Sequence, residues 1–554
     1  MNIPKIRNAP GYIKRFRRLV LDGGRLNTAN FTDIFGEVYG DRPVFFLDRR
    51  LSFKCCPEDK VTYRALAMLA SRIGNGLKGL GVKPGDRVGL MTMNRVELAL
   101  AEFAAWKIGA VPVPLNFMLK AEEVRYQMEN SGTRVLIADR KVFEENIRDP
   151  GLVPCIEQWI VVGEGKPVTG AITLEDLADG AYETLEPYEP RDPEETAIIF
   201  YTSGTTGVPR GAELSQQSMM FTIRNYARLL ALLPTNTKQL ALLVMPVAHT
   251  SGHQNMLILI AMAIPMIFVS RFDPKEVGRM IQEHRVTFFA GIPTMYKMML
   301  AAGIENYDLS SMQVWGGGAD AFTPDLVKTF RQWGGWRLGP LRVKSMFVRG
   351  YGLAETGGHV CMTPPWPVKG ACAGWVVPML KWRLVDELGR PVNRKDSGEL
   401  VLKGPTITKG YYNDEAKTRD AFVDGWFRTG DIMKRGRMGL LYFMEREKDV
   451  IKCGGYSIFP SEIEHHLIKH PDVEQAVVIG VPDEIKGQLP VAVIVPRPGA
   501  ELKPEEFMAW AKDHIAAYKC PRKVVVVKEL PMTFSFKPKR AELRKVYEHL
   551  FKQE

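Results

Sequence analysis

A short apolar stretch that opens into an unbroken run of glycine and hydroxyl residues is the feature that most constrains this chain. Residues Ala197 to Phe200 have the pattern of a buried strand. Every residue from Thr202 to Gly207 is glycine, serine or threonine, and Arg210 follows shortly after. Glycine lets a ligand approach the backbone closely, hydroxyl and N–H groups donate to phosphate oxygens, and a cation neutralises their charge. The stretch therefore predicts a strand followed by a loop that binds a polyphosphate.

The spacing of this loop differs from that of the Walker motif, because Pro209 stands where the second glycine of that motif is required. An ordinary polar surface turn is the alternative interpretation. We favour a phosphate loop because a surface turn does not need so uniform a run of glycine and hydroxyl residues.

The segment YTSGTTGVPRG, residues 201–211, resembles the phosphate loop of the adenylate-forming superfamily. That superfamily includes acyl-CoA synthetases, aryl-CoA ligases, adenylation domains of peptide synthetases and firefly luciferase. The resemblance implies that the loop binds the phosphates of ATP and that Thr202 also contacts Mg²⁺. Arg210 stands where the family usually has lysine, so the charge is kept but the side chain is bulkier and forked. The implied loop residues are Thr202, Ser203, Gly204, Thr205, Thr206 and Gly207.

A triple-glycine segment, VWGGGAD at residues 314–320, extends the resemblance. Three adjacent glycines indicate that another group approaches the backbone closely. In the family this loop packs on adenine and borders the acyl pocket, which implicates Gly317, Gly318 and Ala319. Trp315 has two interpretations, a residue that limits the acyl pocket or an ordinary core residue.

The segment RGYGLAET, residues 349–356, resembles the family motif Tyr-Gly-x-Thr-Glu. The resemblance implies that Tyr351 stacks on adenine and that Glu355 holds Mg²⁺ through its oxygen atoms. Ala354 replaces the usual threonine, so one hydroxyl facing the phosphates is missing unless Thr356 or a water molecule replaces it. The implied nucleotide-binding residues of this segment are Gly350, Tyr351, Gly352 and Thr356.

The segment MPVAHTSG, residues 245–252, resembles the family pattern Pro-x-x-His-x-x-Gly, in which the histidine lines the acyl pocket. The resemblance gives this place to His249, where a simple loop histidine would otherwise be the better interpretation. His253 lies four residues further on, the spacing of two metal ligands on a helix. We reject a metal site because Ser251 and Gly252 are expected to break the helix.

The C-terminal part carries the remaining motifs of the resemblance. Asp431, at the end of WFRTGD, is implied to accept hydrogen bonds from the ribose hydroxyls. Arg446 is implied to contact the ribose or phosphate, although Glu445 replaces the glycine that precedes it in the family. Lys448 falls on the hinge position between domains. The turn implied to line the coenzyme A channel consists of Gly454 and Gly455.

The tail, residues 530–544, resembles the family ending Pro-x-Thr-x-x-Gly-Lys. This alignment assigns Lys537 as the lysine of the adenylation step. Phe536 replaces the glycine before it, and Pro538 follows it. Lys539 is the alternative if the loop is shifted.

The rest of the chain predicts a layered α/β architecture. At 554 residues the chain is too long for one compact core. Helix and strand patterns alternate, as in the predicted helix from Tyr63 to Leu80 and strand from Val88 to Thr92. With the resemblance, we predict a large N-terminal domain of layered α/β sheets, residues 1–447, that includes a small β-barrel subdomain at about 380–445. A small mobile α+β domain, residues 448–554, follows.

Composition limits the partners and the compartment. The net charge of +11 indicates an anionic partner such as a nucleotide or coenzyme A, and nucleic acid ranks last because no basic block or motif for it is visible. Seven cysteines without a CxxC pair favour a reducing compartment. The basic segment from Tyr12 to Arg25 is either a helix on a membrane surface or, as we favour, an ordinary helix with a solvated face. We expect a cytoplasmic protein, with peripheral membrane contact and a homodimer as open alternatives.

The resemblance implies an AMP-forming acyl-CoA synthetase that uses ATP, Mg²⁺ and coenzyme A. Lys537, Arg210 and Mg²⁺ on Glu355 are implied to supply the positive field for the first step. We predict a fatty or other apolar acid as substrate, because no residue suited to an amino acid is visible near His249. Transfer to a carrier protein or another acceptor is one alternative. A nucleotide-binding regulator with impaired catalysis is the other, motivated by the departures at Arg210, Ala354 and Phe536.

Overall fold

The computed structural model describes two compact units. The larger contains the described residues up to 381 together with 402–427, and the smaller contains 382–401 together with those from 428 onward. The predicted basic segment at residues 12–25 lies outside the described part. The described residues are 26–47, 51, 53–54, 59–166, 168–202, 209–230, 239–318, 322–338, 341–364, 366–368, 370–378, 380–453, 456–483, 485–516, 519–532 and 538–550.

A mixed sheet runs through the larger unit, and its central strands are parallel. Strands covered on both faces need apolar side chains on both, and Ala241–Leu243 and Met266–Phe268 are buried at every position. The apolar run that begins at Met256 also belongs to the core. In sheet order the strands are Cys372–Val376, Gly358–Met362, Met346–Leu353, Val314–Gly317, Phe288–Gly291, Ala241–Leu243, Met266–Phe268, Pro43–Phe46 and Lys60–Thr62.

Two further sheets belong to the larger unit. A parallel sheet has the order Val111–Pro114, Arg87–Met91, Val135–Asp139, Gln158–Val162 and Ala171–Thr173. An antiparallel sheet has the order Gly410–Tyr411, Arg210–Ser215 and Thr196–Thr202. Short antiparallel pairs join Gly335–Leu338 to Leu341–Lys344 and Phe422–Val423 to the start of Trp426–Arg435.

Several helices of the larger unit begin where the sequence supplies a capping group. The Thr62 hydroxyl accepts the Ala65 N–H at the start of Tyr63–Gly79, which confirms the predicted helix. At the start of helix Pro274–His284, the Asp273 side chain accepts the N–H groups of Lys275 and Glu276, and Pro274 occupies the first helical position. The α-helices are Phe31–Tyr39, Tyr63–Gly79, Val96–Lys107, Ala121–Ser131, Arg140–Val142, Leu174–Asp179, Gln216–Leu230, Thr250–Ala261, Pro274–His284, Pro293–Ala301, Pro324–Phe330 and Glu415–Ala421, and the shorter π and 3₁₀ turns are Phe143–Ile147, Pro150–Leu152, Ile304–Asn306 and Ala354–Thr356.

Trp315 belongs to the core. It is fully buried and packs edge-on against Phe289, Tyr296 and Phe330. Its indole N–H donates to the carbonyl of Trp333 at 3.4 Å. Of its two interpretations, the structure therefore supports the ordinary core residue.

The smaller unit contains two sheets and three α-helices among its described residues. One sheet has the order Lys381–Val385, Ser397–Lys403, Trp426–Arg435 and Leu441–Arg446. The other has the order Tyr456–Ile458, Ile451–Cys453, Gly487–Pro496 and Val473–Asp483, with Lys523–Val526 beside Gly487–Pro496. The helices are Pro460–Leu467, Pro504–His514 and Arg540–Tyr547, with 3₁₀ turns at Arg437–Gly439 and Glu447–Asp449.

This architecture confirms the predicted α/β class, with a larger sheet-rich part and a smaller C-terminal part. The boundary predicted at Lys448, the β-barrel subdomain and the mobility of the C-terminal domain stay predictions. Within the described residues, none of the helices has the length and apolar character needed to cross a membrane.

Candidate active site

Both flanks of the predicted phosphate loop are strands of one antiparallel sheet. Thr202 pairs directly with Arg210, and the Thr202 hydroxyl donates to the Arg210 carbonyl at 3.4 Å. The preceding residue, Tyr201, donates its hydroxyl to Asn130 Oδ1 at 2.6 Å and so fixes this strand to helix Ala121–Ser131. Burial raises the pKa of Tyr201, which keeps the phenol a donor. The loop residues themselves, 203–207, lie outside the described part.

Arg210 and Glu355 both contact the side chain of Tyr411, a residue that no sequence motif indicated. The Tyr411 hydroxyl donates to Glu355 Oε1 at 2.9 Å, and Arg210 Cζ lies 5.7 Å from the centre of the Tyr411 ring. Thr408 donates its N–H to the Glu355 carbonyl at 2.7 Å, which fixes the backbone of the carboxylate as well. Burial and the neighbouring Glu355 raise the pKa of Tyr411, so its phenol remains protonated. The structure thus brings together two of the predicted catalytic residues.

The oxygen ligands near the phosphate loop are suited to Mg²⁺. A carboxylate at Glu355 and a hydroxyl at Thr202 are hard ligands of the type that Mg²⁺ prefers. Among the described residues, no group of three or more histidine, cysteine or acidic side chains is placed to hold an ion. Mg²⁺ is commonly held by one or two carboxylates together with substrate phosphates and water, so a single carboxylate beside a phosphate loop is sufficient.

The Thr356 hydroxyl is engaged inside its own turn. It accepts the Leu353 N–H at 2.9 Å and donates to the Gly358 carbonyl at 2.8 Å. The side chain is buried, with 1% exposure. This geometry favours a structural role for Thr356, and its replacement of the hydroxyl missing at Ala354 stays a prediction.

Close packing between strands accounts for the glycines at the ends of the central sheet. A Cβ at Gly317 would lie 2.3 Å from the Gly291 carbonyl, and one at Gly318 would lie 2.6 Å from the Gly350 carbonyl. A Cβ at Gly350 would lie 2.1 Å from the ring of His359, and one at Gly352 would lie 1.9 Å from the Gly358 carbonyl. The backbone therefore needs these glycines whether or not a ligand binds there. Contact of Tyr351 and these glycines with adenine stays a prediction.

The expected helix break at Ser251 and Gly252 is wrong. Helix Thr250–Ala261 runs through both residues, and His249 is its N-cap, with Nδ1 accepting the Ser251 N–H at 3.3 Å. Gly252 is needed because a Cβ there would lie 2.1 Å from the Pro246 carbonyl. His253 points into the core, where its Nε2 lies 2.6 Å from Glu102 Oε1. The two histidines therefore have different surroundings, and the place of His249 in the acyl pocket stays a prediction.

In the smaller unit, the two residues predicted to contact the ribose lie on adjacent strands. Asp431 and Arg446 are paired in register, and Arg446 Nε lies 2.8 Å from Asp431 Oδ1. Asp431 is fully buried, and a buried carboxylate requires a paired charge. The arginine therefore pairs with the carboxylate and orients it.

Glu445, which departs from the family pattern, caps a helix. Its Oε2 accepts the Ser461 N–H at 2.9 Å in the first turn of Pro460–Leu467, and its Oε1 accepts the Arg446 N–H at 3.1 Å. Burial raises the pKa of Glu445. The glutamate that stands in place of the family's glycine thus connects strand Leu441–Arg446 to helix Pro460–Leu467.

Lys448 lies exposed in the 3₁₀ turn Glu447–Asp449, and partial desolvation of its ammonium group lowers its pKa. Arg544 in the final helix holds this turn, with Nη2 2.7 Å from Asp449 Oδ1 and Nη1 donating to the Lys448 carbonyl at 3.4 Å. The hinge role of Lys448 stays a prediction.

Several predicted site residues lie outside the described part of the chain. For these the assignments remain those of the sequence. They are Ser203, Gly204, Thr205, Thr206, Gly207, Ala319, Gly454, Gly455 and Lys537.

Two sequence families match this chain. The AMP-binding enzyme family matches residues 36–412, and the AMP-binding enzyme C-terminal domain matches residues 462–537. The chain therefore belongs to the AMP-binding enzyme family.

Relatives with known names cover nearly the whole chain. Feruloyl-CoA synthase of Amycolatopsis sp is 31% identical over 495 residues, which are 88% of this chain and 94% of that protein. A long-chain-fatty-acid–CoA ligase of Bacillus subtilis is 28% identical over 514 residues, covering 86% of this chain and 88% of that protein. The crystal structure of an anthranilate CoA ligase in complex with anthranoyl-AMP superimposes with a TM-score of 0.81 at 26% identity, over 95% of this chain and 98% of that chain.

The fold, the site and these relatives define the class of enzyme. This chain is an AMP-forming acyl-CoA synthetase, which activates a carboxylic acid with ATP and joins it to coenzyme A. The structural comparison also confirms the predicted combination of a large N-terminal and a smaller C-terminal domain.

Proposed function

We propose that this enzyme converts an apolar carboxylic acid to its coenzyme A thioester, with fatty acids as the first candidates and aryl acids as the second. The relatives support both classes, since one is named for ferulate and another for long-chain fatty acids. The sequence around His249, residues 245–255, contains no lysine, arginine, aspartate or glutamate that could bind the charged groups of an amino acid, which supports an apolar acid.

In the first step, a carboxylate oxygen of the acid attacks the α-phosphorus of ATP. A new O–P bond forms, the bond to the β-phosphate oxygen breaks, and pyrophosphate leaves. Two anions must approach each other, so the chain contributes mainly by orientation and charge neutralisation. In our proposal Arg210 and the loop hydroxyls bind the phosphates and Lys537 neutralises the reacting oxygens. Mg²⁺, when bound at Glu355, supplies further positive charge to the phosphates.

In the second step, the thiol sulfur of coenzyme A attacks the acyl carbonyl carbon. A C–S bond forms, the C–O bond to AMP breaks, and the thiol proton passes to solvent. We propose that Asp431 and Arg446 hold the ribose. A change of the backbone dihedral angles at Lys448 would remove Lys537 from the active site and bring in the turn of Gly454 and Gly455.

The observation that carries this proposal is the convergence of Arg210 and Glu355 on Tyr411. The two residues were assigned to phosphate and to Mg²⁺ on separate motifs, and they contact one side chain at the base of the phosphate loop. Because ATP needs both a cation for its phosphates and an oxygen ligand for its metal ion, this arrangement supports nucleotide activation.

An acid panel tests the proposed function. The protein is mixed with ATP, Mg²⁺, coenzyme A and fatty, aryl and amino acids, and AMP and thioester are measured by mass spectrometry. We expect equal amounts of AMP and thioester for an apolar acid. Acyl-AMP without thioester would indicate another acceptor, and ATP binding without turnover of any acid would contradict the proposal.

Replacing Lys537 separates the two steps. We expect Lys537→Ala to reduce acid-dependent pyrophosphate release by about 100-fold or more, because one preorganised cation is lost. Thioester formation from supplied acyl-AMP should be largely retained. Lys539→Ala serves as the matched control and should retain both activities. If Lys539→Ala loses pyrophosphate release and Lys537→Ala keeps it, the assignment moves to Lys539.

A further inference from the structure

Glu355 is held on two sides by one short segment of chain. The Thr408 N–H donates to its carbonyl at 2.7 Å, and the Tyr411 hydroxyl donates to its carboxylate at 2.9 Å. Tyr411 is itself fixed by the antiparallel pairing of Gly410–Tyr411 with Glu213 and Ala212. The carboxylate therefore has a defined direction, set by a short strand that pairs with Arg210–Ser215, the strand that follows the phosphate loop.

The direction of this carboxylate matters because Glu355 is the acidic ligand that the described part of the site offers to a metal ion. No acidic cluster is present among the described residues, so the protein contributes chiefly one carboxylate. Mg²⁺ demands nearly ideal octahedral geometry, so a carboxylate that points in the wrong direction binds it less well. Groups that hydrogen-bond to a metal ligand orient it and are commonly worth 10–100-fold in metal affinity.

We propose that Tyr411 is a positioning residue for this reaction, which fixes Glu355 in the direction that Mg²⁺ requires. The inference rests on the proposed function. Tyr411 also contacts Arg210 through the face of its ring. One side chain thus contacts both the metal-binding carboxylate and the phosphate-binding cation.

Tyr411→Phe tests this role because it removes the hydroxyl and keeps the ring. Binding of a non-hydrolysable ATP analogue is measured by calorimetry with Mg²⁺ and with EDTA. We expect the gain in affinity due to Mg²⁺ to fall by about 10-fold. The affinity in EDTA should fall less, because without the metal ion the variant lacks only the contact of the hydroxyl with Arg210. Mn²⁺ bound with the analogue should show an altered electron paramagnetic resonance spectrum.

The adjacent residue provides a matched control. Tyr412→Phe removes the same atom one position along the chain and should leave both affinities unchanged. Glu355→Gln should abolish most of the gain due to Mg²⁺, and the double variant with Tyr411→Phe should lose no more than Glu355→Gln alone, since the hydroxyl acts through the carboxylate.

The outcomes separate this inference from the proposed function. A wild-type chain that does not bind the ATP analogue would overturn the proposed function. Wild-type binding that Mg²⁺ strengthens equally in Tyr411→Phe would overturn the inference alone. Additive losses in the double variant would also contradict it, because they would show that Tyr411 acts on a different group.

Discussion

His359 shows how the packing around one residue sets its charge state. Its ring fills the space that the missing side chain of Gly350 leaves free. The backbone N–H of His359 donates to Gln254 Oε1 at 2.5 Å, whereas the ring Nδ1 is buried without a hydrogen-bond partner among the described residues. Burial lowers the pKa of His359 to about 4, so the folded protein keeps this imidazole neutral near pH 7.

The depressed pKa of His359 predicts a loss of stability in acid. A histidine in the unfolded chain has a pKa of about 6.5, so below that pH the unfolded chain binds a proton at His359 that the folded protein does not bind. The melting temperature should therefore fall as the pH is lowered from about 6.5 towards 4. His359→Gln should weaken this dependence, and the exposed His465→Gln should not. Identical pH profiles for His359→Gln and the wild type would contradict the prediction.

Helix Thr250–Ala261 shows how an element can begin at residues that usually end one. The chain before it folds back so tightly that the Pro246 carbonyl occupies the place of a side chain at residue 252. His249 then caps the first turn. Glycine is unfavourable inside a helix, but here the contact with the preceding turn decides the structure.

Two glycine-to-alanine changes test that contact. Gly252→Ala should destabilise the larger unit by about 1–3 kcal/mol, because a Cβ would overlap the backbone of the preceding turn. Gly79→Ala, at the end of helix Tyr63–Gly79, is the matched control, since nothing lies within 4 Å of its Cβ position. It should be neutral or stabilising by up to about 1 kcal/mol. Thermal unfolding of both variants measures the difference, and equal melting temperatures would contradict the role of Gly252.

The elements predicted from sequence are those with strong local patterns. Apolar runs and periodicity placed the strand before Thr202 and the helix after Thr62 without tertiary information. Tyr411 was missed because its partner Glu355 lies on another motif, and only folding brings the two together. The cap formed by Glu445 was missed for the same reason, because Ser461 lies in a different element. Local signals predict elements and motifs, whereas contacts between them depend on packing.

The charge of the whole molecule predicts how it responds to salt. A net charge of +11 attracts anionic substrates, and that attraction is screened over about 10 Å at 0.1 M salt. The Kd for AMP should therefore rise with ionic strength, whereas the Kd for uncharged adenosine should change little. Calorimetry at low and high salt measures both. An equal response of AMP and adenosine would show that the net charge does not contribute to binding.

The smaller unit is assembled from two separated stretches of the chain, 382–401 and the residues from 428 onward. During synthesis the first stretch leaves the ribosome before its final helix, Arg540–Tyr547, has been made. At about 5–20 residues per second, the nascent protein waits on the order of 10 s or more before this unit can close. The strands of residues 382–401 therefore remain without their later partners in this unit until those have been synthesised, and during that time they are open to contact with other chains.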